Sequence, residues 1–179
     1  MSFERYCSFI APAHPLVREF FAGGPGWAPG AEALERILAF TRGRCRYVSG
    51  PPGRSSFETL QAAWRRSLGE GFELNCINLV CLLASGLRAS GCPPDGVYAA
   101  VGRLRGAAGG TTLPLEPIHA WLLVPVERGF LWVDPADLAP EPRSGPDLVA
   151  RYALFAIFND ARACVLRDDR RRLLLGEAA

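Results

Sequence analysis

Asn75-Cys76-Ile77-Asn78-Leu79-Val80-Cys81-Leu82-Leu83-Ala84-Ser85-Gly86-Leu87-Arg88 is the stretch that decides how this chain folds. Its apolar residues, Ile77, Leu79, Val80, Leu82, Leu83 and Leu87, fall on nearly every side of a helix, and Leu74 just before it is apolar too. A helix without a polar face belongs in the middle of a domain, where other elements cover it all round. Ser90-Gly91 ends it and Pro93-Pro94 block any continuation, while Gly69 and Gly71 separate it from the segment before.

Working outward, the N-terminal side reads as helical. A short helix is expected around Pro15–Phe21, and a longer one over Ala31–Phe40 with Leu34, Ile37, Leu38 and Thr41 on one face. Ser55 or Ser56 with Glu58 or Thr59 marks a further helix start, carrying Phe57, Leu60 and Trp64 inward. Beyond residue 96 the period changes. Val97–Val101, His119–Val126, Gly129–Val133, Leu154–Phe158 and Ala163–Leu166 read as strands. Glu127-Arg-Gly129 and Asn159-Asp160 stand where hairpin turns belong, and 102–117 and 135–147 read as loops, the second rich in proline. Helices first and an antiparallel sheet afterwards is the α+β order. The expected architecture is a single domain over 1–179 in which N-terminal helices, including the buried central one, pack on a C-terminal antiparallel β-sheet.

Composition narrows the function. At 49 % hydrophobic and 21 % charged the chain is globular, and a net charge of +2 gives no electrostatic argument for nucleic acid. All twenty basic residues are arginine, so Schiff-base, pyridoxal-lysine and Walker-lysine chemistry are excluded. The six cysteines form no Cys-x-x-Cys pair, and no basic-then-apolar leader opens the sequence, so reduced thiols in the cytoplasm are expected. No stretch suits a bilayer, and no spacing of histidines and cysteines suits zinc, so neither a membrane partner, a metal nor a cofactor is expected.

What remains is a thiol. A cysteine attacks carbonyl carbon as its thiolate, and unpaired N–H groups at a helix N-terminus favour that form, as does a neighbouring imidazolium. Cys76 opens its helix if the helix begins near Asn75. Taken alone it reads sooner as a small buried hydrophobe, as most free cysteines are and as Cys81 deeper in the helix reads. Only two histidines exist. His14, between Ala13 and Pro15, reads as a surface or packing residue, whereas His119 begins an apolar strand. Asp134 closes the next strand fifteen residues later, which suits adjacent antiparallel strands joined by the turn at 127–129. An aspartate there would fix the imidazole's tautomer and leave its other nitrogen to the thiol.

Together these residues resemble the transglutaminase-like superfamily, small bacterial members in particular, within the papain-like cysteine peptidase fold. The matching pieces are Cys76 heading its helix, Leu87-Arg88-Ala89-Ser90-Gly91-Cys92-Pro93 behind it, His119-Ala120-Trp121 on one strand and Trp132-Val133-Asp134-Pro135 on the next. Ile37–Tyr47 resembles the family's helix leading into an Arg-x-Tyr segment, and the likeness spans roughly 31–135. It implies a Cys76–His119–Asp134 catalytic triad and a thioester intermediate, with hydrolysis by water or transfer to an amine. The backbone N–H of Cys76 would hold the oxyanion with one further donor, for which Gln61, Trp64 and Asn75 all stand as candidates. Leu74 and Ile77 replace residues usual in the crosslinking enzymes, which points away from glutamine–lysine crosslinking. The expected substrate is a peptide, protein or carrier-bound acyl group. The competing expectation is a non-catalytic domain that keeps the fold for protein binding.

Overall fold

A computed structural model describes residues 7–22, 31–48, 72–104 and 119–165. The elements are α1 (Pro15–Phe21), α2 (Ala31–Arg42), β1 (Cys45–Tyr47), β2 (Phe72–Leu74), α3 (Cys76–Ala89), a 3₁₀ turn (Pro94–Gly96), β3 (Tyr98–Leu104), β4 (His119–Val126), β5 (Gly129–Val133), β6 (Pro140–Arg143), α4 (Gly145–Arg151), β7 (Tyr152–Phe158) and β8 (Ala163–Val165). The helix expected near Ser55, with Phe57, Leu60 and Trp64, lies outside the described residues.

α3 is the axis of the fold, as its sequence requires. Every residue from Ile77 to Leu87 is buried, so the helix is wrapped on all sides. Its far end closes in a Schellman motif: the Cys92 N–H donates to the Leu87 carbonyl and the Gly91 N–H to the Arg88 carbonyl, both at 3.1 Å. Gly91 takes the left-handed φ of 96° that the motif needs and that a side chain would strain. Arg88 then grips the β7–β8 turn, its Nε and Nη2 donating to the two Asp160 carboxylate oxygens at 2.8 and 2.9 Å. A third donor, Nη1, reaches the Cys92 carbonyl. The arginine of the Leu-Arg-Ala-x-Gly-x-Pro segment therefore ties the helix to the sheet.

α1 and α2 cover α3 from one side through Phe20, Phe21 and Phe40, whose rings meet at centroid distances of 4.8 to 5.7 Å. His14 caps α1, its Nδ1 accepting the Leu16 N–H at 3.2 Å, a capping role that the reading as a surface or packing residue did not include. Leu34, Ile37, Leu38 and Thr41 of α2 are buried together, as their spacing predicts.

The sheet covers the other side of α3. Its six strands run β6-β5-β4-β3-β7-β8, every neighbour antiparallel. Period-two alternation divides β4 between two cores. Ala120 and Leu122 join the α3 core, while Trp121 and Leu123 join a second core with Trp132, Leu154 and Leu148 of α4. Trp121, Trp132 and Tyr152 lie ring against ring there, at 4.4 to 4.7 Å.

The sequence reading of 135–147 as a proline-rich loop is corrected: Pro140–Arg143 is an edge strand on β5, and α4 starts at Gly145. An edge strand can carry proline because half its N–H groups have no ladder partner. α4 is announced by a capping box, in which Ser144 Oγ accepts the Asp147 N–H and the Asp147 carboxylate accepts the Ser144 N–H, both at 3.3 Å. β3 also runs to Leu104, into the segment read as loop, and β1 and β2 form a short parallel ladder that no period announced.

Candidate active site

Cys76 is the first residue of α3. Asn75 caps the helix, its side-chain oxygen accepting the Asn78 N–H at 2.9 Å, so the thiol stands in the first turn where N–H groups lack intrahelical partners. β2 ends at Leu74, and Leu74 is fully buried, which pins the chain immediately before the thiol.

His119 is the first residue of β4, paired with Gly102 of β3 at the point where the β3–β7 register shifts. A Cβ on Gly102 would lie 2.6 Å from the Ala153 carbonyl oxygen, so glycine lets β7 pass close behind the histidine's partner. Asp134 follows the last residue of β5. Because Val133 pairs with Leu122, continuation of that register sets Asp134 beside Trp121 and diagonal to His119. The His119 Nε2 lies 3.1 and 3.2 Å from the two Asp134 oxygens, and the Cys76 side chain is close enough to the ring to raise its pKa. With Nε2 engaged by the carboxylate, Nδ1 is the nitrogen left for the thiol. The three residues singled out from the sequence are therefore brought together, 24 % of the His119 side chain and 32 % of the Asp134 side chain remaining exposed.

Burial alone would push the His119 pKa down. The hydrogen bonds to Asp134 and then to Cys76, with the charges of both, outweigh it and raise the ring to about 9. Burial likewise works against the Asp134 carboxylate, but hydrogen bonds from His119 and from the Ala136 backbone hold it below the usual 3.8. The two shifts have opposite consequences for stability. His119 stabilises the fold fully below 6.5, and that contribution is lost as pH rises through about 9. Asp134 stabilises it above 3.8, and that contribution is lost as pH falls through its lowered folded value. Asp134→Asn should thus cost on the order of 1–2 kcal/mol between about pH 5 and 7, with the deficit shrinking above about pH 9. Urea unfolding across that range tests this, and a deficit independent of pH would refute the coupling.

The turn after Asp134 is braced. The Leu138 N–H donates to the Asp134 carbonyl at 2.8 Å, and Leu138 holds a left-handed φ of 55°, a conformation costing about 1–2 kcal/mol in a non-glycine residue. Arg42, at the end of α2, donates to the Leu138 carbonyl at 2.8 Å, and the Leu138 side chain is buried in the α3 core. Asp134 also accepts the Ala136 N–H at 2.9 Å. Trp121 walls the other side, its ring edge-on to His119 at 5.2 Å. The indole adds a further weak interaction to Asp134, while its buried Nε1 has no partner of ordinary hydrogen-bond geometry.

Tyr47 is a neighbour that sequence reasoning missed. Its ring stands edge-on to His119 at 6.4 Å. Burial raises its pKa first, and the negative charges of Cys76 and Asp134 raise it further, so the phenol lies within electrostatic reach of both. Of the three oxyanion-donor candidates, Asn75 adjoins the thiol with its side-chain oxygen committed to the helix cap. Gln61 and Trp64 lie outside the described residues.

The chain is similar in structure to LapG of Legionella pneumophila, a bacterial cysteine protease. The TM-score is 0.58 over 99 % of this chain and 93 % of LapG, at 16 % sequence identity. The chain has a transglutaminase-like fold. EGTA-treated LapG (TM-score 0.58, 15 % identity, 93 % of this chain and 87 % of that one) and calcium-bound LapG (0.57, 16 %, 92 % and 88 %) give the same likeness. No protein-family profile and no curated protein matches the sequence itself. The transglutaminase-like fold expected from the four motifs is thus met by the architecture, with α3 set against the antiparallel sheet.

Proposed function

We propose that this protein is a thiol-dependent acyl-transfer enzyme acting on a peptide, amide or thioester carbonyl. The observation that carries the reading is the His119–Asp134 pair, with the carboxylate on Nε2, near enough to the Cys76 side chain at the head of α3 for the thiol to raise the ring's pKa. In the reaction Cys76 passes its proton to His119, and Sγ attacks the carbonyl carbon, forming the C–S bond as the C=O π pair moves onto oxygen. The leaving group takes its proton from His119 as the tetrahedral intermediate collapses to a thioester. His119 then removes a proton from water or an amine, which attacks the thioester and releases the thiol. Asp134 holds the ring in register and stabilises its protonated form throughout.

LapG supports a protein or peptide as substrate, since the fold likeness spans nearly the whole of both chains. Calcium is present in one LapG structure, but among the described residues no three His, Cys, Asp or Glu side chains converge as a metal-binding group, and no step here runs through a metal. Likewise, among the described residues no helix is long and apolar enough to cross a membrane.

The other thiols make a clean test possible. Burial pushes Cys45 up to about 12, Cys81 higher still, and Cys92 upward, so these are poor nucleophiles near neutrality. Iodoacetamide should alkylate Cys76 at least about 10-fold faster than any other cysteine, with the widest margin near pH 6. Mass spectrometry of timed digests reads each site separately. Uniformly slow labelling would instead favour a protein-binding domain that keeps the fold.

A further inference from the structure

We propose that Tyr47 donates its phenolic O–H to the oxyanion that forms when Cys76 attacks an acyl carbonyl, as partner to the Cys76 backbone N–H. The proposal rests on the acyl-transfer reading above and adds a residue to it.

The argument starts from the β1–β2 ladder. β1 and β2 are three residues each and parallel, pairing Cys45 with Phe72, Arg46 with Glu73 and Tyr47 with Leu74. The ladder continues one step further, the Val48 N–H donating to the Leu74 carbonyl at 3.0 Å. Arg46 and Glu73 add an ion pair across it. So small a ladder buries little surface, and what it does is positional. It locks Tyr47 alongside the residue two places before the thiol, while buried Leu74 fixes that place against the core.

From there the phenol sees the whole reacting group. The ring is half-buried, edge-on to His119, and within electrostatic reach of Cys76 and Asp134. Asp134 already engages the imidazole Nε2, so the hydroxyl is not needed to orient the base. Burial and two negative neighbours keep the hydroxyl protonated well past neutrality, so it serves as a donor. When Sγ bonds to the carbonyl carbon, the C=O π pair moves onto oxygen. That oxygen then accepts the Tyr47 O–H and the Cys76 N–H. Collapse restores the C=O bond and expels the leaving group, protonated by His119, and Tyr47 keeps its proton throughout. A donor aimed where charge develops acts on the transition state rather than on substrate binding.

The test is Tyr47→Phe, which keeps the ring and removes the hydroxyl. Two measurements are made on the whole chain: hydrolysis of p-nitrophenyl acetate, which passes through an oxyanion, and alkylation of Cys76 by iodoacetamide, which does not. The variant should lose about 100-fold in kcat, with KM changed less than about threefold and the alkylation rate within about twofold of wild type. Unchanged hydrolysis overturns the assignment and leaves the Cys76 reading intact. Equal losses in hydrolysis and alkylation also overturn it, because Tyr47 would then be acting on the thiol. Wild-type protein that is silent toward the ester, or Cys76→Ala protein that still turns it over, removes the parent reading and Tyr47's role with it.

Discussion

Cys76→Ala is expected to abolish turnover, by about 10⁴-fold or more, and His119→Ala to cost about 10³-fold, on acyl p-nitroanilides and acyl thioesters. The difference in size follows from the roles. Without the thiol no thioester forms, whereas without the imidazole a residual thiolate still attacks but loses its proton donor for the leaving group. The loss in His119→Ala should therefore be larger on anilides, whose nitrogen must be protonated to leave, than on thioesters, whose thiolate departs unaided. The double variant should be no worse than Cys76→Ala alone, since groups acting as a unit are not additive. Both side chains are partly exposed and neither fills the core, so the variants should remain folded. Full turnover in Cys76→Ala would end the proposal. Equal losses of His119→Ala on the two leaving groups would remove its role as acid.

Arg88→Ala should lower stability by about 2–3 kcal/mol in urea unfolding. The guanidinium makes two bonds to Asp160 and one to the Cys92 carbonyl, and both charged side chains are more than four-fifths covered. Truncation leaves Asp160 without its cation in a half-dry setting and frees the turn between β7 and β8 from the end of α3. Arg88→Lys should recover little, because a point charge cannot span both carboxylate oxygens and the carbonyl together. A loss below about 0.5 kcal/mol would mean that this pair is worth no more than an exposed one. The site lies at the other end of α3, so alkylation of Cys76 in folded protein should be unaffected.

The parts of this molecule that were legible in the sequence are those with a long period. α3 announces itself because fourteen residues carry no polar face, and β4 because eight residues are almost wholly apolar. The gap between His119 and Asp134 was readable for a related reason: a hairpin of known turn fixes which residues stand at the same sheet end. β6 was not legible, because Pro140 and Pro142 carry a loop signal and only pairing to β5 reveals the strand. α4 has seven residues, too few for periodicity, and its only signal was the Ser144–Asp147 capping box. Tyr47 was the hardest of all. Its place depends on a three-residue parallel pairing with a segment far along the chain, and three residues hold no pattern.

The prolines of β6 bear on how such a protein meets its substrate. Pro140 and Pro142 are two apart, so they face the same way, and N–H bonds to β5 must come from the alternate residues, Glu141 and Arg143. The outward row of that sheet edge therefore offers carbonyls but no N–H donors at those two positions. An extended peptide laid along it would find half of its partners missing. A protein proposed to act on peptide substrates is thus protected at this edge from having its own sheet lengthened by them, and from pairing edge to edge with copies of itself.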